Sequence, residues 1–185
     1  MARNERRREY VPEKKEFMEQ VIDIDRVSRV VKGGRRFRFR ALVVIGDGKK
    51  RVGVGVSKGS DVQAAIAKAV EVAKKDMIEI SIYKTTIPHQ IQTRFSGAKI
   101  LLKPAGPGTG IIAGGTVRAV LDVTGIKDIL SKSLGSSNKV NIAYATIEAL
   151  KSLVPASEWV TTINAQKNTK STGQKKKPAD KEAKK

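Results

Sequence analysis

The chain has 185 residues, room for one large domain or two small ones. It carries 37 Lys and Arg against 18 Asp and Glu, for a net charge of +19, and it has no cysteine. The lack of thiols excludes disulfides and thiolate metal sites and fits a reducing compartment. The longest run of large apolar residues is the four from Leu42 to Ile45, too short for a membrane-spanning helix. A chain this positive repels itself, so its charge implies a polyanionic partner, nucleic acid rather than a membrane.

Residues 1–15, with Arg6, Arg7 and Arg8 in a row, are expected to form a flexible basic arm. No apolar stretch follows MARNERRREY, so it does not read as a secretory signal. FMEQVIDIDRVSRVV then has the β-branched composition of a strand, and Gly33-Gly34 punctuates it. RRFRFRALVVIG predicts a long strand, closed by the turn signal Gly46-Asp47-Gly48. RVGVGVSKG is its hairpin partner. Val52, Val54 and Val56 line one face, and Gly53 and Gly55 line the other, open to close approach by another backbone or a nucleic acid. Ser60-Asp61-Val62-Gln63 predicts a capping box. Val62, Ile66, Ala69 and Ala73 continue at helical spacing.

Residues 16–84 therefore read as a β-β-β-α unit, and Pro88 marks a junction near residue 85. Residues 85–160 predict strands near 89–95 and 98–103, a glycine-rich loop, and a helix over 113–124 closed by Gly125. A short strand near 128–133 follows, and then a helix over 139–152 with Val140, Ala143, Ile147 and Leu150 on one stripe. The expected fold class is α+β, with helices covering a four-stranded sheet in the second unit. Residues 161–185 have no apolar periodicity and are expected to be a disordered basic tail.

Three features bear on function. In KGGRRFRFRA, strand alternation turns Arg36, Arg38 and Arg40 to one face and Phe37 and Phe39 to the other, toward a core. Lys32 and Arg35 add to this charge, and Lys49, Lys50 and Arg51 lie at the other end of the long strand. Guanidinium forks match phosphate oxygens, and Gly33-Gly34 would let the loop press against a nucleic-acid backbone. With both phenyl rings committed to the core, the pattern points to a reader of RNA shape and phosphates. The second feature is the loop holding Gly106, Gly108, Gly110, Gly114 and Gly115, which lacks the lysine of a phosphate-binding loop and matches a dinucleotide fingerprint poorly. Its glycines point to close packing of backbone on backbone or on a partner. The third is His89, the lone histidine, with no matched carboxylate or nucleophile, which reads as a junction residue. No catalytic residue, metal site or cofactor is expected.

RVSRVVKGGRRFRFRALVVIGDGKKRVGVGVSKGSDVQAAIAKAVEVAKKDM and GTGIIAGGTVRAVLDVTGIKDILSKSLGSSNKVNIAYATIEAL resemble the bacterial family of ribosomal protein S-five, the fifth protein of the small ribosomal subunit. The resemblance spans roughly residues 16–160. It implies a first domain similar to a double-stranded-RNA-binding domain and a second of the split β-α-β type. It also implies a non-enzymatic cytoplasmic protein of the small subunit that binds its ribosomal RNA, supports assembly and influences translational accuracy. The implied neighbours are the ribosomal proteins numbered three, four and eight, on the side where messenger RNA enters. Carried over by motif, Lys32, Gly33, Gly34, Arg35 and Arg36 resemble the family's RNA-contacting loop. Gly108, Gly110, Gly114, Gly115 and Arg118 resemble its surface toward protein four. A free-standing RNA-binding regulator and a phosphate-loop enzyme remain alternatives.

Overall fold

A computed structural model describes residues 17–155 and 158–159. The expected arm over 1–15 and tail over 161–185 lie outside the described residues. The first unit runs β1 (Met18–Val31), β2 (Gly34–Gly46), β3 (Arg51–Gly59), α1 (Val62–Lys75) and a two-residue β4 (Ile78–Glu79). The strands form one antiparallel sheet in the order β1-β2-β3-β4. The second unit runs β5 (Ile91–Phe95), β6 (Ala98–Pro104), β7 (Ile111–Ile112), α2 (Gly115–Asp122), β8 (Ile129–Ser133) and α3 (Lys139–Lys151). Its sheet has the order β5-β6-β8-β7, with β7 parallel to β8 and the other pairs antiparallel.

Strand β2 shows why the layers stack as they do. Its C-terminal half, from Ala41 on, is buried on both faces, so alternation sends each parity to a different core. Ala41, Val43 and Ile45 pack against Ala65, Ala69, Val70 and Ala73 of α1. Leu42 and Val44 join Val52 and Val54 of β3 in a second core shared with α2, α3 and β6. The result is four layers: α1, the first sheet, the α2–α3 pair, then the second sheet. Helix α3 lies between two sheets. That explains why Ile142, Ala143, Ala145, Thr146, Ala149 and Leu150 are all buried, where a single stripe was expected. Val140 and Ile147 of that stripe are only half-buried.

The glycines of β3 have a definite purpose. A Cβ on Gly53 would strike the Ala73 carbonyl oxygen, and one on Gly55 would strike that of Ala69. The approaching backbone is therefore that of α1, not a nucleic acid. Gly59 completes the ridge, where an added Cβ would lie 2.6 Å from Ala65 N. This contact also corrects the expected capping box. Asp61, in extended conformation and without a side-chain cap bond, is the N-cap, and its carbonyl accepts from Ala65 N at 3.0 Å. With Asp61 as N-cap, the helix begins one residue late for Ser60 and Gln63 to cap each other. The β7 strand was not foreseen, because two residues in a glycine-rich loop carry no period.

Candidate nucleic-acid interface

The β1–β2 hairpin is longer than its sheet. Strand β3 last pairs with β2 at Phe39↔Gly59. Beyond that, Val27–Val31 and Gly34–Arg38 pair only with each other, in five rungs from Val27↔Arg38 to Val31↔Gly34. At about 3.3 Å per residue, this two-stranded ribbon projects by roughly 15–20 Å. The turn is Lys32-Gly33, and Gly34 sits at φ +145°, a conformation suited to glycine.

One ribbon face collects Arg29, Arg36 and Arg38 with Lys58 from β3, around a groove of about 380 Å³ floored by Val27 and Val31. Arg29 stands directly opposite Arg36. Facing like charges destabilise a sheet pair, and among the described residues none of Arg29, Arg35, Arg36 or Arg38 has an ion-pair partner. Arg29 and Lys58 were not foreseen as site residues. The turn carried the signal: a two-residue loop at Lys32-Gly33 sets the register that brings Arg29 to Arg36.

Two expectations are corrected here. Arg40 is not free charge, because its Nη2 lies 2.6 Å from Asp25 Oδ2 on the facing strand, with Nε at 3.1 Å. It is a half-buried cross-strand clamp. Phe37 does not reach the core. It is 50% exposed because α1 begins at the level of Phe39 and Gly59, leaving nothing behind the ribbon to cover the ring. The Arg26 guanidinium lies over it at 3.8 Å. Phe39 does reach the α1 core and is half-buried there.

Lys49, Lys50 and Arg51 are exposed but lie at the far end of β2, roughly 40 Å from the ribbon tip at strand rise. Their turn is a junction built around Asp47. Its Oδ1 accepts the backbone N–H groups of Lys49, Lys50 and Arg51, each at 2.9 Å, and Oδ2 accepts from Arg51 Nε at 3.2 Å. Burial opposes ionisation of Asp47, but these donors outweigh it and hold the carboxyl well below the usual range. The turn is seated on the second unit, with Gly48 N donating to Val123 O at 3.1 Å.

The glycine-rich loop is closed by its own chain. Asp128, 4% exposed, accepts from Gly108 N and Gly110 N at 3.0 Å each through one oxygen. The Gly110 amide, the Thr85 side chain and the other loop amides hold its carboxyl below the usual range against its burial. Amides that could have cradled a phosphate thus hold a carboxylate from within. Gly108 and Gly110 adopt φ +89° and +76°. Added Cβ atoms at Gly106, Gly108, Gly110, Gly114 and Gly115 would meet nothing within 4 Å, so on that side no other described residue closes over them. Gly114 caps α2, and Arg118, one turn on, is exposed with Nη2 3.5 Å from Ile111 O. His89 is a junction: Nε2 accepts from Val154 N and Nδ1 faces Gln90 O, each at 3.0 Å.

The two units also match known families. Residues 17–81 match the family model "Ribosomal protein S5, N-terminal domain", and residues 93–161 match "Ribosomal protein S5, C-terminal domain". The first match holds the cationic ribbon, and the second holds the glycine loop with its internal carboxylate. Together they span most of the chain, which belongs to the ribosomal protein S5 family of structural, RNA-binding constituents of the small ribosomal subunit.

Proposed function

We propose that the chain grips small-subunit ribosomal RNA with the β1–β2 ribbon. Arg29, Arg36, Arg38 and Lys58 contact phosphates from one face, while Lys32, Arg35 and the Gly33-Gly34 backbone approach from the tip. The observation that carries this reading is a ribbon whose Arg29, Arg35, Arg36 and Arg38 have no ion-pair partner and no core behind them among the described residues, with like charges facing across its strands. Such an arrangement is unfavourable alone and is relieved by phosphate oxygens. Lys49, Lys50 and Arg51 serve as a separate, distant contact.

The same reading extends to the second unit. Gly106–Gly115 and Arg118 form a surface that a neighbouring ribosomal protein, the one numbered four, can approach closely, because no side chain stands in the way. From there the protein influences translational accuracy on the side where messenger RNA enters. Proteins three and eight are further neighbours, assembly of the subunit depends on these contacts, and the protein works in the cytoplasm. A phosphate-loop enzyme is disfavoured, since Asp128 already occupies the amide cradle.

The test is binding of the full-length protein to a small-subunit ribosomal RNA transcript across a salt series. Each phosphate contact contributes about 0.7–0.9 to the slope of log affinity against log salt. Replacing Arg29, Arg36 and Arg38 together with Ala is expected to lower that slope by about two. An unchanged slope overturns the assignment of the ribbon to RNA.

A further inference from the structure

Of the four layers, the second sheet is the outer one among the described residues, with α2 and α3 packed on its inner side. Its outer face has a distinctive composition. Arg94 of β5, Lys99 and Lys103 of β6, and Lys132 of β8 are all exposed, and the four strands contain no Asp or Glu. Arg94 lies directly opposite Lys99. Among the described residues, none of the four has a carboxylate partner. Between these cations run Leu101, Leu130 and Ile112, and a shallow hollow of about 100 Å³ lies among Leu101, Lys103, Leu130 and Lys132. Leu130 is 36% exposed and Ile112 53%.

A solvated strand face normally mixes both signs, which relieves cross-strand repulsion. This face does the reverse over three neighbouring strands. We infer that the outer face of the second sheet is a second RNA-binding surface, in which Lys99, Lys103 and Lys132 meet backbone phosphates while Leu101 and Leu130 lie against the sugar edge between them. The inference rests on the ribosomal RNA reading above and adds a contact on a different sheet from the ribbon. Charge complementarity selects the occupant: a surface of one sign without carboxylates suits a polyanion, whereas a protein neighbour would need an acidic face of its own. The apolar residues suit the partly apolar sugar edge of a groove.

The experiment compares three full-length variants with the wild type on the same ribosomal RNA transcript. One carries Lys99→Gln, Lys103→Gln and Lys132→Gln. A charge-matched control carries Lys68→Gln, Lys74→Gln and Lys75→Gln on α1. The third is the ribbon variant with Arg29, Arg36 and Arg38 replaced by Ala. The sheet variant is expected to keep its thermal midpoint, lower the salt slope by about two and add its loss to that of the ribbon variant, while the control moves the slope by less than half as much. A sheet variant that binds RNA like the wild type while the ribbon variant loses affinity overturns this inference alone. So does a control that loses as much as the sheet variant, or a sheet variant that keeps RNA affinity but no longer binds purified neighbouring ribosomal proteins. If the ribbon and sheet variants both bind like the wild type, the RNA reading itself fails.

Discussion

Gly55→Ala tests the packing that holds the first unit together. The added methyl would overlap the Ala69 carbonyl oxygen and lie 2.7 Å from Ala73 N and 3.0 Å from Ala69 C. Ordinary contact begins near 3.4 Å, so α1 must lift by about 0.7 Å at Ala73 and by more at Ala69, enough to forfeit a quarter to a half of the dispersion energy of the atoms it separates. The obstructing atoms are helix backbone and cannot rotate away. Overpacking of this kind costs about 1–3 kcal/mol, and rigid backbone places the site at the upper end. Relief of glycine's entropy in a strand returns about 0.5–1 kcal/mol. The net expectation is a loss of about 2 kcal/mol. Equilibrium urea unfolding followed by far-UV circular dichroism reads it as a lower midpoint at unchanged slope. Gly115→Ala is the control: its Cβ meets open space at the first position of α2, and it is expected to be neutral or stabilising by up to about 1 kcal/mol. Equal midpoints for Gly55→Ala and wild type would refute the seating of α1 on the β3 backbone.

Arg38→Ala and Arg40→Ala should separate cleanly, although the two residues share a face. Arg38→Ala is expected to lower the RNA salt slope by about 0.7–0.9 and leave the urea midpoint in place. Arg40→Ala breaks a pair whose side chains are 35% and 40% exposed, so it should cost about 0.2–1 kcal/mol in the urea titration while sparing the slope. Asp47 and Asp128 are both held below the usual carboxylate range, so the unfolded chain takes up their protons first. Their contribution is complete above about pH 5 and is lost as pH falls further. Urea midpoints measured down the acid range should fall more steeply for the wild type than for Asp47→Asn with Asp128→Asn. Finally, a fragment ending at residue 84 leaves Leu42, Val44, Val52 and Val54 without their second layer. Each is worth about 1.5–3 kcal/mol when fully buried, so calorimetry should find the fragment far less stable than the full chain.

The sequence by itself determined the class and order of the longer elements. Period-two alternation in RRFRFRALVVIG and helical spacing after Ser60 are local properties, readable because each residue's neighbours along the chain set its face. The family resemblance, now matched by both domain models, was likewise carried by contiguous motifs. Which residues meet was decided only in three dimensions. Parity put Phe37 and Arg40 on opposite faces, but it could not say that α1 stops short of Phe37 or that Asp25 faces Arg40, because both depend on where other elements end and pair. Gly55 was legible as a close-approach residue, but the approaching backbone proved to be α1. Asp128 opens the strand expected near 128–133 and carries no local signal of its role, yet it fills the cradle of a loop some 20 residues upstream. Charge and period are local and survive in the sequence; occupancy of space is a property of the packed chain.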